Sequence, residues 1–290
     1  MDIVFFDYYH PYAGLCNQLY LITNHIHRCY TINKQIYIHK FNLDIFKKNR
    51  VSIKFVLDIE TTNKNLKRLT GKNILASQPP EIISSMQQLC IYPVSSIEIL
   101  NCLAFNQDIV NLVETIKYRN LDYDYYGIHF RLDIDAILHY TFGKEIYNKY
   151  MDLSNQDTIL AEQFFETLNK NKIESYCNFL IQQYIRSVEQ FGFDKIWYIC
   201  TSLLKWDIHE YFVKYLEQLT GFILKNGGKF FISSIYYNER ELNALVDLLV
   251  LRDCKKMVGF EGSSFSEGYC FKVNQIRKVT QEFIFVKEYP

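Results

Sequence analysis

The segment Tyr126-Gly-Ile-His-Phe-Arg-Leu-Asp-Ile-Asp135 decides the fold expected for this chain. Its first five residues are mostly apolar, which predicts a buried strand that ends at Phe130. Polar side chains then stand at every second position, as His129, Arg131 and Asp133. Because alternate residues of an extended chain share a face, we expect these three to line one side of the strand end. The carboxyl edge of the strands is where ligands bind in open α/β sheets.

Two interpretations of this strand end remain open. The planar guanidinium of Arg131 is suited to binding a diphosphate, since it donates several hydrogen bonds in one plane. Arg131 and Asp133 also have the spacing of an ordinary solvated ion pair that closes a strand. The residues themselves do not decide between the two.

Strands and helices alternate along the rest of the C-terminal half, where the glycine fingerprint GxGxxG is absent. With short links, this alternation predicts a parallel sheet covered on both faces, and therefore a Rossmann-like unit. The predicted strands are 126–130, 196–200, 229–233, 256–259 and 283–286, and the predicted helices are 155–169, 173–190, 206–219, 238–251 and 264–273.

The N-terminal half begins with a similar pattern. A strand at 3–6, a helix at 15–30 and a strand at 35–39 are predicted, followed by short helices and loops over 41–115. The change of pattern near residue 120 divides the chain into two predicted domains, 1–120 and 121–290.

Two further segments lie between a strand and a helix. In Ala13-Gly-Leu-Cys-Asn-Gln18, Gly14 permits a tight turn and Asn17 offers an amide to a sugar or phosphate, although a plain strand-to-helix turn explains it as well. In Gly259-Phe-Glu-Gly-Ser-Ser-Phe-Ser-Glu267, Ser264 and Glu267 fit a capping box with Ser264 as N-cap. A serine-rich helix N-terminus also suits a phosphate.

Composition excludes several other classes of protein. Lys+Arg and Asp+Glu are both 32 in 290 residues, so a broadly basic nucleic-acid binder is not expected. The eight cysteines form no CxxC pair, which predicts free buried thiols rather than a zinc site. There is no apolar run of about 18 residues and no signal peptide at the N-terminus, so we expect a cytoplasmic protein without a transmembrane segment.

Two acidic pairs, Asp122/Asp124 and Asp133/Asp135, have the DxD form with which some glycosyltransferases hold a divalent ion. The pattern is very loose, and the second pair adjoins Arg131. A metal site is therefore not expected.

The order of the three segments resembles the GDP-fucose-dependent fucosyltransferase superfamily, which includes protein O-fucosyltransferases and α1,2- and α1,6-fucosyltransferases. The matching stretches are 13–18 (a GG(F/L)NNQ-like loop), 129–135 (an H-(L/F)-R-like strand end) and 262–266 (a G-(S/N)-S-x-F-S-like turn after Asp247 or Asp253). The chain departs from the family at Ala13, at Cys16, and at Thr201-Ser202, where Thr-Asp is usual. It looks more like a microbial or viral member.

The resemblance implies a GT-B α/β fold, in which two Rossmann-like domains face each other across a cleft. It implies an inverting transfer of a sugar, fucose from GDP-fucose being favoured, to a hydroxyl of a glycan or protein, with no metal. The alternatives are another nucleotide sugar such as UDP-xylose, a non-catalytic carbohydrate- or nucleotide-binding relative, and a metal-dependent GT-A enzyme.

The resemblance also implies a role for each candidate residue. Arg131 is expected at the β-phosphate and Asp133, with Asp7 behind it, is the candidate base. The other expected donor contacts are Ser263, Ser264 and Phe265 at the phosphates, His129 and Asp247 at the nucleoside or at Arg131, and Gly14 and Asn17 across the cleft.

Overall fold

The computed structural model describes residues 3–6, 14–44, 49–80, 96–201 and 210–287. Strands and helices alternate through most of these ranges. The strands are β1 (Ile3–Phe6), β2 (Gln35–Ile38), β3 (Lys40–Asp44), β4 (Asn49–Ser52), β5 (Tyr125–His129), β6 (Ile196–Cys200), β7 (Lys229–Ile232), β8 (Lys256–Phe260) and β9 (Glu282–Val286). The helices are α1 (Leu15–Thr31), α2 (Ile59–Thr70), α3 (Ile97–Cys102), α4 (Gln107–Ile116), α5 (Ile134–Phe142), α6 (Lys144–Gln156), α7 (Thr158–Glu166), α8 (Lys170–Phe191), α9 (Glu210–Lys225), α10 (Arg240–Asp253) and α11 (Lys272–Arg277), with π-helical turns at Lys117–Leu121 and Ser266–Phe271.

A five-stranded parallel sheet organises the C-terminal half, in the order β7-β6-β5-β8-β9. The central strand, β5, is buried along its whole length, and Tyr126 is in register with Trp197 on one side and Lys256 on the other. The chain moves outward from β5 to β7 and then returns to the other side of β5 as β8. The predicted parallel sheet is confirmed, and its order reverses between β5 and β8, where open sheets of this kind bind ligands.

The N-terminal half contains the predicted strand–helix–strand unit. β1 and β2 pair in parallel, and α1 connects them. β3 and β4 form an antiparallel pair, which was not predicted, and α2, α3 and α4 follow. β5 begins after the π-helical turn Lys117–Leu121, next to the predicted division at residue 120. The division into two domains stays a prediction.

Two apolar cores cover opposite faces of the sheet, because side chains alternate along each strand. Along β6, Tyr198 and Cys200 belong to one core, and Trp197 and Ile199 belong to the other. The first core is continuous with the interior of the N-terminal half, since α10 packs against both the sheet and α4. The same helix therefore contacts both halves of the chain.

Several predicted helices differ in extent or type from the helices of the structure. The helix predicted at 155–169 is interrupted at Asp157, whose backbone is extended and whose carboxylate accepts a hydrogen bond from Ile159 N at 2.8 Å to begin α7. The helix predicted at 264–273 is a π-helical turn followed by α11. Residues 206–209 of the helix predicted at 206–219 lie outside the described residues, and α9 continues to Lys225.

The cysteines in the described ranges are all buried and free, as predicted, and Cys90 lies outside these ranges. Among the described helices, none combines the length and the apolar character needed to cross a membrane.

Candidate functional site

A cavity of about 570 Å³ lies where β5 and β8 end, and it also touches the start of α1. Its volume is within the range of small-ligand sites in proteins. Eight of the candidate residues named from the sequence line it: Gly14, Asn17, His129, Arg131, Asp133, Ser263, Ser264 and Phe265. Asp247 does not line it, and Asp7 lies outside the described residues. Segments that are more than 200 residues apart in sequence thus meet at one cavity.

Asp247 does not line the cavity. It is 2 % exposed on α10, and its carboxylate accepts hydrogen bonds from the hydroxyl of Tyr198 and from the thiol of Cys200. Cys200 directly precedes Thr201, which does line the cavity. In this geometry Asp247 supports the end of β6.

Arg131 and Asp133 form the ion pair that the sequence allowed. Arg131 Nη1 lies 3.1 Å from Asp133 Oδ2, and the other carboxylate oxygen accepts a 2.8 Å hydrogen bond from Ala136 N as the N-cap of α5. The Arg131 side chain is 28 % exposed and that of Asp133 is 10 % exposed. The guanidinium therefore reaches the cavity while the carboxylate is engaged at both oxygens.

The backbone around Arg131 is also held in place. Tyr184, a fully buried residue of α8, donates its hydroxyl hydrogen to His129 O at 2.7 Å and accepts from Arg131 N at 3.0 Å. One hydroxyl thereby satisfies the carbonyl of His129, the last residue of β5, and the amide of Arg131, which follows the strand. Buried backbone groups without partners are costly, so this contact stabilises the strand end that presents Arg131.

His129 is neutral in the folded protein. Burial, and secondly the charge of Arg131, lower its pKa to about 3. Its ring stacks on Phe265 with centroids 4.7 Å apart, and Nδ1 lies 3.2 Å from Ser266 Oγ. Because the Ser266 hydroxyl donates to Phe260 O at 3.1 Å, Nδ1 is assigned as the donor to Ser266 and Nε2 as the unprotonated nitrogen.

The turn after β8 is capped by a different serine from the one predicted. Ser263 Oγ accepts from Phe265 N at 3.2 Å and from Ser266 N at 3.4 Å, while Glu267 Oε2 accepts from Gly262 N at 2.8 Å. The capping box predicted with Ser264 as N-cap is therefore wrong by one residue. The physical reason is Gly262, whose φ of 73° turns the chain one residue earlier.

The start of α1 is fixed by residues that sequence reasoning missed. Gly14 makes no side-chain cap, and Leu15 N donates to Glu241 Oε2 at 2.6 Å. Glu241 is 2 % exposed and lies 3.3 Å from the guanidinium of Arg240. Arg240 and Glu241 both line the cavity from the start of α10. No local signal distinguishes them from an ordinary polar helix start, since their partner is 226 residues away.

A further wall of the cavity comes from α5 and α6, which were not predicted. It consists of His139, Tyr140, Tyr147 and Lys144. The His139 ring contacts both tyrosine rings edge-on, with centroids 4.9 and 5.7 Å apart. Tyr140 also lies 5.2 Å from Phe260, the last residue of β8. This wall therefore adjoins the turn that contains Ser263.

The acidic pair Asp122/Asp124 is at the wrong end of β5 to serve the cavity. Asp124 directly precedes β5, and its carboxylate oxygens lie 2.6 Å from Lys195 and 2.6 Å from Lys255, which lower its pKa. Over the ranges that the structure describes, no three His, Cys, Asp or Glu side chains come together as a metal-binding set. The side chain of Asp135, together with Asp7, Ala13 and Ser202, lies outside the described part of the molecule.

The fold is similar to those of solved fucosyltransferases. Compared with POFUT1 in complex with GDP-fucose, the chain is 10 % identical with a TM-score of 0.62, and 98 % of each chain is covered. POFUT1 in complex with GDP gives the same values, and the fucosyltransferase NodZ from Bradyrhizobium gives 11 % identity, a TM-score of 0.53, and coverage of 100 % of this chain and 97 % of that one. At these identities the likeness establishes the fold alone. No protein-family model matches the chain, and no curated protein matches it by sequence.

Proposed function

We propose that this protein is an inverting glycosyltransferase of GT-B type that transfers fucose from GDP-fucose to a hydroxyl of a glycan or protein. One observation carries the proposal: Arg131 and the serine turn 262–266 meet in one cavity at the point where the sheet order reverses. The structural likeness to POFUT1 in complex with GDP-fucose supports the choice of donor.

In the proposed complex the donor diphosphate lies between Arg131 and the serine turn. The Ser263 oxygen accepts two backbone N–H groups, and neither bond uses its hydroxyl hydrogen, which is able to donate to a phosphate oxygen. Negative charge grows on the β-phosphate as the glycosidic bond breaks. A guanidinium held beside the β-phosphate oxygens stabilises the transition state more than the ground state and so accelerates transfer of the sugar.

We propose that Asp133 orients Arg131 rather than acting as the base first predicted. Its two oxygens already hold the guanidinium and the first turn of α5, as described above. A base must accept the acceptor's proton within hydrogen-bond reach, and a proton added to either oxygen of Asp133 would neutralise the charge that holds Arg131. The proposal assigns no residue to that role.

The two halves of the chain take different roles in this scheme. Residues 121–290 form the proposed donor domain, and residues 1–120 form the proposed acceptor domain across a cleft. Gly14 and Asn17 line the same cavity as Arg131, at the start of α1. The acceptor hydroxyl is proposed to enter between the start of α1 and Arg131.

Donor binding is proposed to need no metal, because protein cations and backbone N–H groups offset the charge of the diphosphate. Lys144 adds a further cation to the cavity beyond the Arg131–Asp133 and Arg240–Glu241 pairs. The corresponding test is donor affinity measured with EDTA and with added Mn²⁺. Equal affinity is expected, and an absolute requirement for the ion would contradict the scheme.

A titration series tests the proposed function. GDP, UDP, ADP, GDP-fucose and UDP-xylose are titrated into the protein, and the melting temperature and the heat of binding are recorded. A ligand of the native state raises its stability by RT ln(1 + [L]/Kd), so GDP and GDP-fucose are expected to give the largest shifts. Tighter binding of UDP and UDP-xylose would mean that the donor is a UDP-sugar and not GDP-fucose. Binding without release of GDP in the presence of acceptor glycans would identify a non-catalytic relative, and no nucleotide binding at all would refute the proposal.

A further inference from the structure

A tyrosine of the N-terminal half is hydrogen-bonded to the serine turn. Tyr20, in the second turn of α1, donates its hydroxyl hydrogen to Ser264 O at 2.5 Å. Tyr20 is 1 % exposed, and the two residues are 244 positions apart in sequence. The same helix presents Gly14 and Asn17 at the cavity. The contact therefore joins two walls of the cavity, one from each half of the chain.

Gly268 shows that this contact constrains the turn closely. A Cβ added to Gly268 would lie 2.0 Å from the Tyr20 hydroxyl oxygen and 3.0 Å from Tyr20 Cζ. The backbone of Gly268 has no positive φ, so the glycine is needed here for space and not for its conformational freedom. It lies within the π-helical turn Ser266–Phe271 that follows the serine turn. The tyrosine thus packs directly against the backbone of this segment.

The hydrogen bond from Tyr20 also sets the direction of the Phe265 amide, which belongs to the same peptide group as the Ser264 carbonyl. In a planar trans peptide, the carbonyl of Ser264 and the N–H of Phe265 point in opposite directions. With the carbonyl held by Tyr20, the Phe265 N–H is directed to Ser263 Oγ, 3.2 Å away. That bond in turn orients the hydroxyl of Ser263, which lines the cavity.

We infer that Tyr20 is a positioning residue for the diphosphate of the donor, acting through the Ser264–Phe265 peptide and the hydroxyl of Ser263. This inference rests on the proposed function for the identity of the ligand. The hydrogen bonds that the inference depends on are present in the ligand-free protein, so they are also tested without ligand. Tyr20 touches no reacting atom in this scheme.

Tyr125 provides a matched control. Its hydroxyl donates to a backbone carbonyl, Val250 O, at 2.7 Å, and its side chain is also 1 % exposed. It does not line the cavity. Tyr20→Phe and Tyr125→Phe therefore remove the same atom from the same kind of bond in equally buried places, and both are expected to lower the melting temperature to a similar extent.

The experiment compares the two variants by two measurements. In the ligand-free protein, hydrogen exchange at the amides of Phe265 and Ser266 is expected to accelerate in Tyr20→Phe and to stay unchanged in Tyr125→Phe. In GDP titrations, Kd is expected to rise about fivefold or more in Tyr20→Phe alone, the loss expected when one hydrogen bond that holds a site is removed. Equal exchange at these amides in both variants would overturn the inference, whether or not GDP binds. Failure of wild type to bind any nucleotide would instead refute the proposed function.

A double-mutant cycle with Gly268→Ala adds an independent check. In the wild-type background the new methyl group collides with the Tyr20 hydroxyl and is expected to speed exchange at Phe265 and Ser266. In the Tyr20→Phe background the colliding oxygen is absent, so the additional effect of Gly268→Ala is expected to be smaller. Strictly additive effects would show that the two residues do not act through one contact and would also overturn the inference.

Discussion

The guanidinium of Arg131 lies 3.1 Å from the Asp133 carboxylate, which is itself fixed as the N-cap of α5. The pair therefore combines two functions that the sequence leaves as alternatives. It closes the strand end as an ion pair, and it presents a planar cation to the cavity at a set angle. The first two predictions separate these functions.

Arg131→Lys is expected to lower kcat/KM for GDP-fucose by about 100-fold or more, with little change in melting temperature. Lysine retains the charge but loses the planar fork that reaches Asp133 and a phosphate oxygen together. Steady-state kinetics beside a thermal melt make the comparison. Turnover near that of wild type would show that Arg131 only closes the strand.

Asp133→Asn and Asp133→Ala both lose the ion pair with Arg131, but Asn is as good an N-cap as Asp. Asp133→Ala is therefore expected to be less stable than Asp133→Asn by about 1 kcal/mol, since the Ala136 amide loses its partner only in that variant. In both variants the KM for GDP-fucose is expected to rise, because Arg131 is no longer held by a carboxylate. A base role would instead abolish kcat in Asp133→Asn while leaving donor Kd unchanged, and a pH–rate profile distinguishes the two outcomes.

Much of this site was predictable because its parts lie at strand ends, where local pattern is strong. The apolar run before Arg131 and the run before Ser263 each predict a strand, and parallel strands bring their carboxyl ends to one edge. Arg240 and Glu241 were not predictable in the same way. Their place in the cavity depends on how α10 packs between the two halves, and only the folded chain brings Glu241 to Leu15.

The predicted cap lies one residue from the observed one and Asp247 does not line the cavity, for different reasons. The capping pattern was placed at Ser264, and one left-handed glycine, Gly262, moves it to Ser263. Asp247 was named because an acidic residue precedes the serine turn in the family that the chain resembles. On α10 its position faces the buried side of the sheet, where Tyr198 and Cys200 meet it. Helix rotation of this kind is set by tertiary packing.

The stability of the protein is expected to fall in acid through His129. Its pKa is about 3 when folded and about 6.5 when unfolded, so between these values only the unfolded chain binds the proton. The contribution is fully present above pH 6.5 and is lost as the pH falls toward 3, by about 1.4 kcal/mol per pH unit. Between pH 7 and pH 5, wild type is therefore expected to lose about 2 kcal/mol more than His129→Gln.

Denaturant titrations at both pH values give this difference. His25, whose pKa burial lowers to about 4, titrates in both proteins and cancels in the comparison. If the two proteins lose equal stability, His129 is protonated in the folded state, and the assignment of Nε2 as the unprotonated nitrogen is wrong.

The last prediction separates the structural role of Ser263 from its role toward a ligand. Ser263→Asp and Ser263→Asn each place an oxygen where Ser263 Oγ now accepts from Phe265 N and Ser266 N. Both are good caps, so both variants are expected to melt close to wild type. They differ in one charge beside the proposed diphosphate. Two like charges about 4 Å apart repel by about 4 kcal/mol at an effective dielectric constant of 20, so GDP affinity is expected to fall by two or more decades in Ser263→Asp. Ser263→Asn is expected to bind GDP within about tenfold of wild type, since its side-chain N–H groups are able to replace the hydroxyl as donor to a phosphate oxygen. Equal affinities in the Asp and Asn variants would place the phosphates elsewhere and would limit the serine turn to capping the π-helical turn behind it.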